Sequence, residues 1–264
     1  MSAVRLCLLG GFRLTRDGGP DPRVTTGPGR RLLAYLGIHG RVPRAELAGV
    51  LWPDASEAHA MGSLRTALWR LHRLPGPLVT CEPEVLALNE SVVVDVRDLV
   101  ESALLLAGAD GLTRTQIEAP YAVDEHGGRV LAGGELLPGW YDEWVLHERE
   151  RLRQLRLHAL EGLSARLVGQ GRFTAALEAA FASVRLEPLR ESAHRAVIAV
   201  HVAEGNMCEA VRHYEAYRAL LGRELGVAPS ARLAAMVPAG ALAAVSLPIP
   251  PARTNRSDVG VTAG

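Results

Sequence analysis

His147-Glu148 opens like the zinc-protease motif HExxH, in which two histidines one helical turn apart hold a metal and the glutamate activates water. The second histidine is absent, and Arg151 stands in its place. His194 and His201 are seven residues apart, about two helical turns, so they could share a face, but no third ligand accompanies them. Asp142 and Glu143 are adjacent and point apart on a helix, which makes a poor acid–base pair. Cys7, Cys81 and Cys208 are distant and odd in number, with no CxxC spacing, so neither a disulfide framework nor a zinc site is indicated. The chain contains no lysine: all 29 basic residues are arginine. Walker A phosphate chemistry and Schiff-base catalysis both need that amine. There is no GxSxG elbow and no glycine-rich dinucleotide fingerprint. No catalytic residue, metal site or cofactor is expected.

The chemistry that remains is recognition by arginine. With Leu64 at zero on a helical wheel, Met61, Leu64, Ala67, Leu68 and Leu71 fall on one side. His59, Gly62, Ser63, Thr66, Trp69, Arg70 and Arg73 fall on the other. Arginine can hold guanine bidentately, and serine or threonine can reach bases or phosphates, so such a face suits a DNA major groove. Arg30, Arg31 and Arg44 are candidates for phosphate contacts that fix register. A solvated amphipathic helix would carry a similar face. Charge distribution points the same way as recognition: residues 1–80 hold 11 arginines against 5 carboxylates, a net +6. Residues 81–264 hold 18 against 24, a net −6. A basic head on an acidic body fits a polyanion partner for the head.

Elements must position that face. Val4–Leu9 and Phe12–Leu14 read as short strands, followed by the turn Asp17-Gly18-Gly19-Pro20. Leu32, Leu33 and Leu36, with Tyr35 and Ile38 beside them, mark a helix closed by Gly40. A second helix carries Pro43 near its first turn and Leu47, Val50 and Leu51 on its apolar face, and Pro53 ends it. Asp54-Ala55-Ser56-Glu57 supplies capping residues for the third helix, which runs to about Leu74. Leu78–Cys81 and Val85–Leu88 then form a hairpin, the wing of a winged helix.

The C-terminal half reads as helical. Val96, Leu99, Val100, Ala103 and Leu104 mark one helix, broken at Gly108–Gly111, and Asp124–Gly128 reads as loop. A long helical region is expected from Glu135 onward, with Glu148–Arg153 as an exposed mixed-charge face. Gly171 and Gly205 are 34 residues apart, and in that register Phe173 matches Met207, Ala176 matches Ala210 and Ala180 matches Tyr214. Thirty-four residues is the tetratricopeptide period. The uncharged stretch Leu233–Ala252 contains four prolines and reads as tail, not membrane span. Met1–Gly10 does not resemble a signal peptide.

Three segments carry a more specific likeness: Gly29–Leu36, Val42–Asp54 and Ser63–Leu71. Together with Trp140–Trp144, Leu155–Glu161, Pro188–Arg195, Tyr214–Arg218 and Glu224–Ser230, they resemble the Streptomyces antibiotic regulatory proteins. The resemblance implies an α+β winged-helix DNA-binding domain of the OmpR type over residues 1–97. An all-α, tetratricopeptide-like helical-repeat activation domain over 98–237 follows, with a disordered tail over 238–264. It implies that the third helix enters the major groove of double-stranded DNA at promoter direct repeats, with two copies as a homodimer or side by side. It also implies contact with RNA polymerase and its sigma subunit, control of a specialised-metabolite gene cluster, and a cytoplasmic location with no membrane partner. One feature departs from the family: Glu82 and Glu84 at the wing tip would repel phosphates, leaving only flanks near Thr80 or Asn89 for contact. A repressor, or a protein-interaction scaffold built on the same two halves, are the alternatives.

Overall fold

The structure is a computed structural model and describes residues 4–17, 24, 26–107 and 133–238. The expected turn at Gly18–Pro20, the helix break at Gly108–Gly111, the loop at Asp124–Gly128 and the tail beyond Pro238 lie outside the described residues.

Alternation builds the first sheet. In β1 (Val4–Cys7), Val4 and Leu6 turn inward and Arg5 outward, and β2 (Arg13–Arg16) pairs antiparallel with it. The sequence reading missed the third strand, β6 (Val92–Val94), which lies parallel on the other edge of β1, giving the order β2-β1-β6. Its signal was the β-branched run Val92-Val93-Val94, whose first and last residues are buried.

Helix α1 (Gly27–His39) begins at Thr26, whose hydroxyl accepts from Gly29 N–H, with Pro28 in the first turn. It ends at Gly40, whose φ of 78° reverses the chain. Gly37 lets this helix lie close on the sheet, because a Cβ there would come within 3.0 Å of Leu6 Cδ2 and 3.2 Å of Leu8 Cδ1. Strand β3 (Val42–Pro43) leads into α2 (Arg44–Leu51), and α3 (Glu57–His72) follows. Ser56 is the N-cap of α3, but its hydroxyl meets His59 Nδ1 at 2.8 Å instead of a backbone N–H, so the expected capping arrangement does not form. The wing is β4 (Val79–Cys81) paired with β5 (Val85–Leu88), in a second sheet of order β3-β5-β4.

Helix α4 (Asp95–Ala107) opens on Asp95, whose carboxylate accepts the N–H groups of Leu8 and Leu9. The expected helix from Glu135 starts later. Leu136 forms a bridge with Leu9, Leu137 adopts a positive φ of 44°, and Pro138-Gly139 turns the chain. Only then does α5 (Glu143–Gly169) begin, the bridge of Leu136 to Leu9 having overridden helix propensity. Helices α6 (Phe173–Leu186), α7 (Glu191–Glu204), α8 (Met207–Leu225) and the short α9 (Ala231–Ala234) complete the described residues. The matched positions of the 34-residue repeat sit where the helix pairs touch: Ala176, Ala180, Ala210 and Tyr214 are buried. Gly171 and Gly205 supply the left-handed turns, at φ of 71° and 86°.

The two halves share a core. Leu136, Leu137, Val145 and Leu152 pack into the same apolar cluster as Leu6, Leu36 and Leu99. Phe12 stacks on Trp140 at 6.2 Å between ring centroids, and Trp144 meets Tyr35 edge-on at 5.2 Å. Arg149 donates to the carbonyls of Leu136, Leu137 and Trp140, which holds this connecting segment against α5.

Candidate nucleic-acid interface

Helix α3 buries Ala60, Leu64, Ala67, Leu68 and Leu71 against the core. The opposite face exposes His59, Thr66, Trp69, Arg70 and Arg73, with Ser63 half-buried at its margin. Arg65, which the sequence reading left out, is exposed on the same side. It lies one position from Leu64, and the wheel alone set it at the edge of the face. Beyond Glu57 the helix contains no carboxylate. Arg65, Arg70 and Arg73 form no ion pair among the described residues. Arg73 lies over the Trp69 ring at 4.7 Å, and Trp69 remains 59% exposed, so this cation–π pair is presented to solvent.

The hydroxyls offer less than their residue types suggest. Thr66 Oγ1 donates to the Gly62 carbonyl at 3.0 Å, leaving its lone pairs and methyl outward. His59 is held by Ser56. Between α3 and the start of α1 runs an open groove of about 480 Å³, with Thr26, Pro28 and Trp52 on one side and His59, Ser63 and Arg70 on the other. Gly62 also faces this groove, and its position would give an added Cβ open space, since only an Arg65 nitrogen comes within 4.0 Å.

The arginines proposed for phosphates are placed differently. Arg30 is exposed, with Nε donating to the Val24 carbonyl at 2.8 Å and its guanidinium 5.9 Å from the Phe12 ring centroid. Arg31 is half-buried and pairs with Asp142, the N-cap residue of α5, so its charge faces the second half of the molecule. Arg44 donates from Nε and Nη2 to the Glu82 carbonyl at 3.1 and 3.0 Å, tying the start of α2 to the wing. Of the three, only Arg30 joins α3's exposed residues in being open to a ligand. The acidic wing tip is partly neutralised from within: Glu82 accepts from Arg41 at 2.6 Å. Neither Arg41 nor this pairing was legible without the fold, because 41 residues separate the partners. Thr80 is exposed, while the Asn89 amide oxygen accepts from Ser91 N–H and hydroxyl. His72 Nδ1 donates to the Leu68 carbonyl and its other nitrogen lies 3.9 Å from Cys81 Sγ, which sets the wing against the end of α3.

Of the two histidines singled out as possible ligands, His194 is engaged in packing, while His201 is half-buried with no partner at Nδ1 among the described residues. His194 Nε2 lies 2.8 Å from the Pro188 carbonyl and must donate to it, so its Nδ1 accepts from His213 Nε2 at 3.0 Å. Tyr217 stacks on His194 at 3.9 Å. Burial, with His194 and His201 nearby, pulls the His213 pKa down from 6.5 to about 4, and burial lowers that of His194. Neutral imidazoles are what this arrangement requires. Asp142 and Glu143 do separate roles, the first on Arg31 and the second in the first turn of α5.

Residues 93–239 match the bacterial transcriptional activator domain family. The chain is 33% identical over 239 residues to the regulatory protein AfsR of Streptomyces coelicolor, an alignment covering 86% of this chain and 23% of that protein. It is 28% identical over 246 residues to AfsR of Streptomyces griseus, covering 88% and 24% respectively. The chain thus spans about a quarter of the length of the curated relatives it matches. Among solved structures, Mycobacterium tuberculosis EmbR, in a complex with a low-affinity phosphopeptide, superposes with a TM-score of 0.61 at 20% identity. That superposition covers 92% of this chain and 68% of EmbR, and it extends the likeness in fold to both the winged and the helical halves. With the activator-domain match over more than half of its length, the chain belongs to the bacterial transcriptional activator domain family and is a transcription regulator of the Streptomyces antibiotic regulatory type.

Proposed function

We propose that this regulator is a sequence-specific DNA-binding activator that reads the major groove with α3 and recruits RNA polymerase, sigma subunit included, through its helical half. The observation that carries the reading is the outward face of α3. It exposes Arg65, Arg70 and Arg73 beside Trp69 and His59, with no carboxylate beyond Glu57 to compete for them. Arginines left without an internal anion are matched to an external one, and a helix N-terminal to a hairpin is the element a winged helix inserts. Arg70 and Ser63, on the groove side, are assigned to base edges, Arg65 and Arg73 to phosphates, and Arg30 to register. Domain limits of 1–97 and 98–237, which divide α4 in its first turn, are proposed for this division of labour. Two copies on promoter direct repeats, a cytoplasmic setting, and control of a specialised-metabolite gene cluster complete the proposal.

The test is fluorescence anisotropy on promoter fragments selected by footprinting, titrated with salt. Affinity should fall linearly in log–log form as salt rises, with a slope set by the phosphates neutralised. Salt-independent or undetectable binding would remove the DNA reading and favour the interaction scaffold. In vitro transcription then decides sign: the activator reading expects more transcript when the site is filled, the repressor reading less.

A further inference from the structure

A cavity of about 310 Å³ opens at the seam between the two halves, where Leu9, just beyond β1, meets α5 and the C-terminal end of α6. Leu9, Leu136, Leu152 and Leu186 form its apolar wall, and Glu135 and Glu150, each paired with an arginine, stand on the polar one. Three arginines on one side of α5 also line it, and two of them are satisfied. Arg149 pairs with Glu135 at 2.8 Å and donates to three carbonyls, and Arg153 pairs with Glu150 and Glu187. Arg156 differs. It is only 7% exposed, Nη2 donates to the Gly134 carbonyl at 2.9 Å, and buried Nε has no partner. No carboxylate of the described residues lies within ion-pair distance of it.

A buried guanidinium with an unmade N–H bond is costly, because desolvation is not repaid by a partner. Burial accordingly pulls the Arg156 pKa down, opposed only by the more distant charge of Asp95. The arrangement is complementary to an anion that brings its own hydrocarbon. We infer that this cavity is a binding site for a small carboxylic acid with an apolar chain, its carboxylate on Arg156 and its chain against the leucines. The half-exposed rim residues Leu146 and Leu186 give an entry path. The occupant would touch Leu9 and Leu136, the bridge that joins the halves, so the site is placed to sense or set how firmly they dock. This inference does not depend on the DNA reading.

The test is calorimetric titration of the full chain with sodium octanoate, with 1-octanol and acetate as comparators for the chain alone and the charge alone. Octanoate should bind saturably at one site, with each comparator at least about tenfold weaker, the size of effect that one charge-assisted contact or a buried alkyl chain supplies. Arg156→Gln should weaken octanoate by about ten- to hundredfold. Leu186→Trp fills the cavity from its rim without disturbing the buried arginine, and should block octanoate while keeping the wild-type circular dichroism spectrum. Failure of the wild type to bind octanoate, or wild-type affinity in either variant that folds, overturns the site. Octanoate binding by a chain that does not bind DNA would leave this site standing and remove the DNA reading alone.

Discussion

On α3, Arg65, Arg70 and Arg73 stand exposed without a carboxylate in ion-pair range, whereas along α5 to α8 arginine after arginine rests on a glutamate. Arg151 takes Glu148, Arg153 takes Glu150, Arg212 takes Glu209 and Arg218 takes Glu215, all at the i, i+3 spacing of a helix surface. Arg190 reaches further, to Glu161 at 2.8 Å, to bind α7 to α5. The same side chain is therefore used in two ways. In these pairs of the helical half its charge is compensated within the chain and contributes to packing and solubility, Arg156 standing apart, while on α3 it is left for a partner. Arg31 and Arg44 belong with the first kind although they sit in the winged half, since Asp142 and the Glu82 carbonyl take them.

The comparison can be broken most forcefully at the seam. Leu137 is fully buried in the core that both halves share, and Leu137→Ala should cost about 2–5 kcal/mol through the cavity it leaves. Denaturation followed by Trp fluorescence and by circular dichroism should still give one coincident transition. Two transitions would mean that the halves fold independently.

Acid should weaken the helical half next. His213 is held neutral with its pKa lowered to about 4 against an ordinary 6.5, so its contribution is present above about pH 6.5. It is lost as pH falls from there toward 4, by up to about 3 kcal/mol. Denaturant midpoints measured across that window should fall, and His213→Gln, which retains a donor for His194, should flatten the slope.

At the interface, Arg70→Ala should weaken specific DNA binding by about 1–3 kcal/mol if it reads a base. Arg212→Ala, on a glutamate-paired arginine, should change neither DNA affinity nor stability by more than about 0.5 kcal/mol. Equal losses in the two variants would erase the distinction between the two kinds of arginine. A small effect, on stability alone, is expected at Arg31→Gln. Loss of its pair with Asp142 should cost about 1 kcal/mol of stability or less, and the salt slope of DNA binding should stay as it was. A slope shallower by about one would return Arg31 to the phosphates.

By itself the sequence determined the elements and their order wherever local chemistry decides them. Gly40 closes α1, the leucine stripes give the buried faces of α1 to α3, and the 34-residue register of Gly171 and Gly205 gives the helix pairs. It also drew the exposed face of α3, because a helical wheel needs only the order of residues. Tertiary structure decided which charges are left over. Arg31 and Asp142 are 111 residues apart and Arg41 and Glu82 are 41 apart, so no periodicity could pair them. It likewise made Leu136 a bridge partner of Leu9, where the sequence suggested the start of a helix, since a hydrogen bond to a distant segment outweighs a propensity of tenths of a kcal/mol. The orphaned Nε of Arg156 belongs to the same class: that a cation is buried without a counter-charge is a property of the packed seam, not of the residue or its neighbours in the chain.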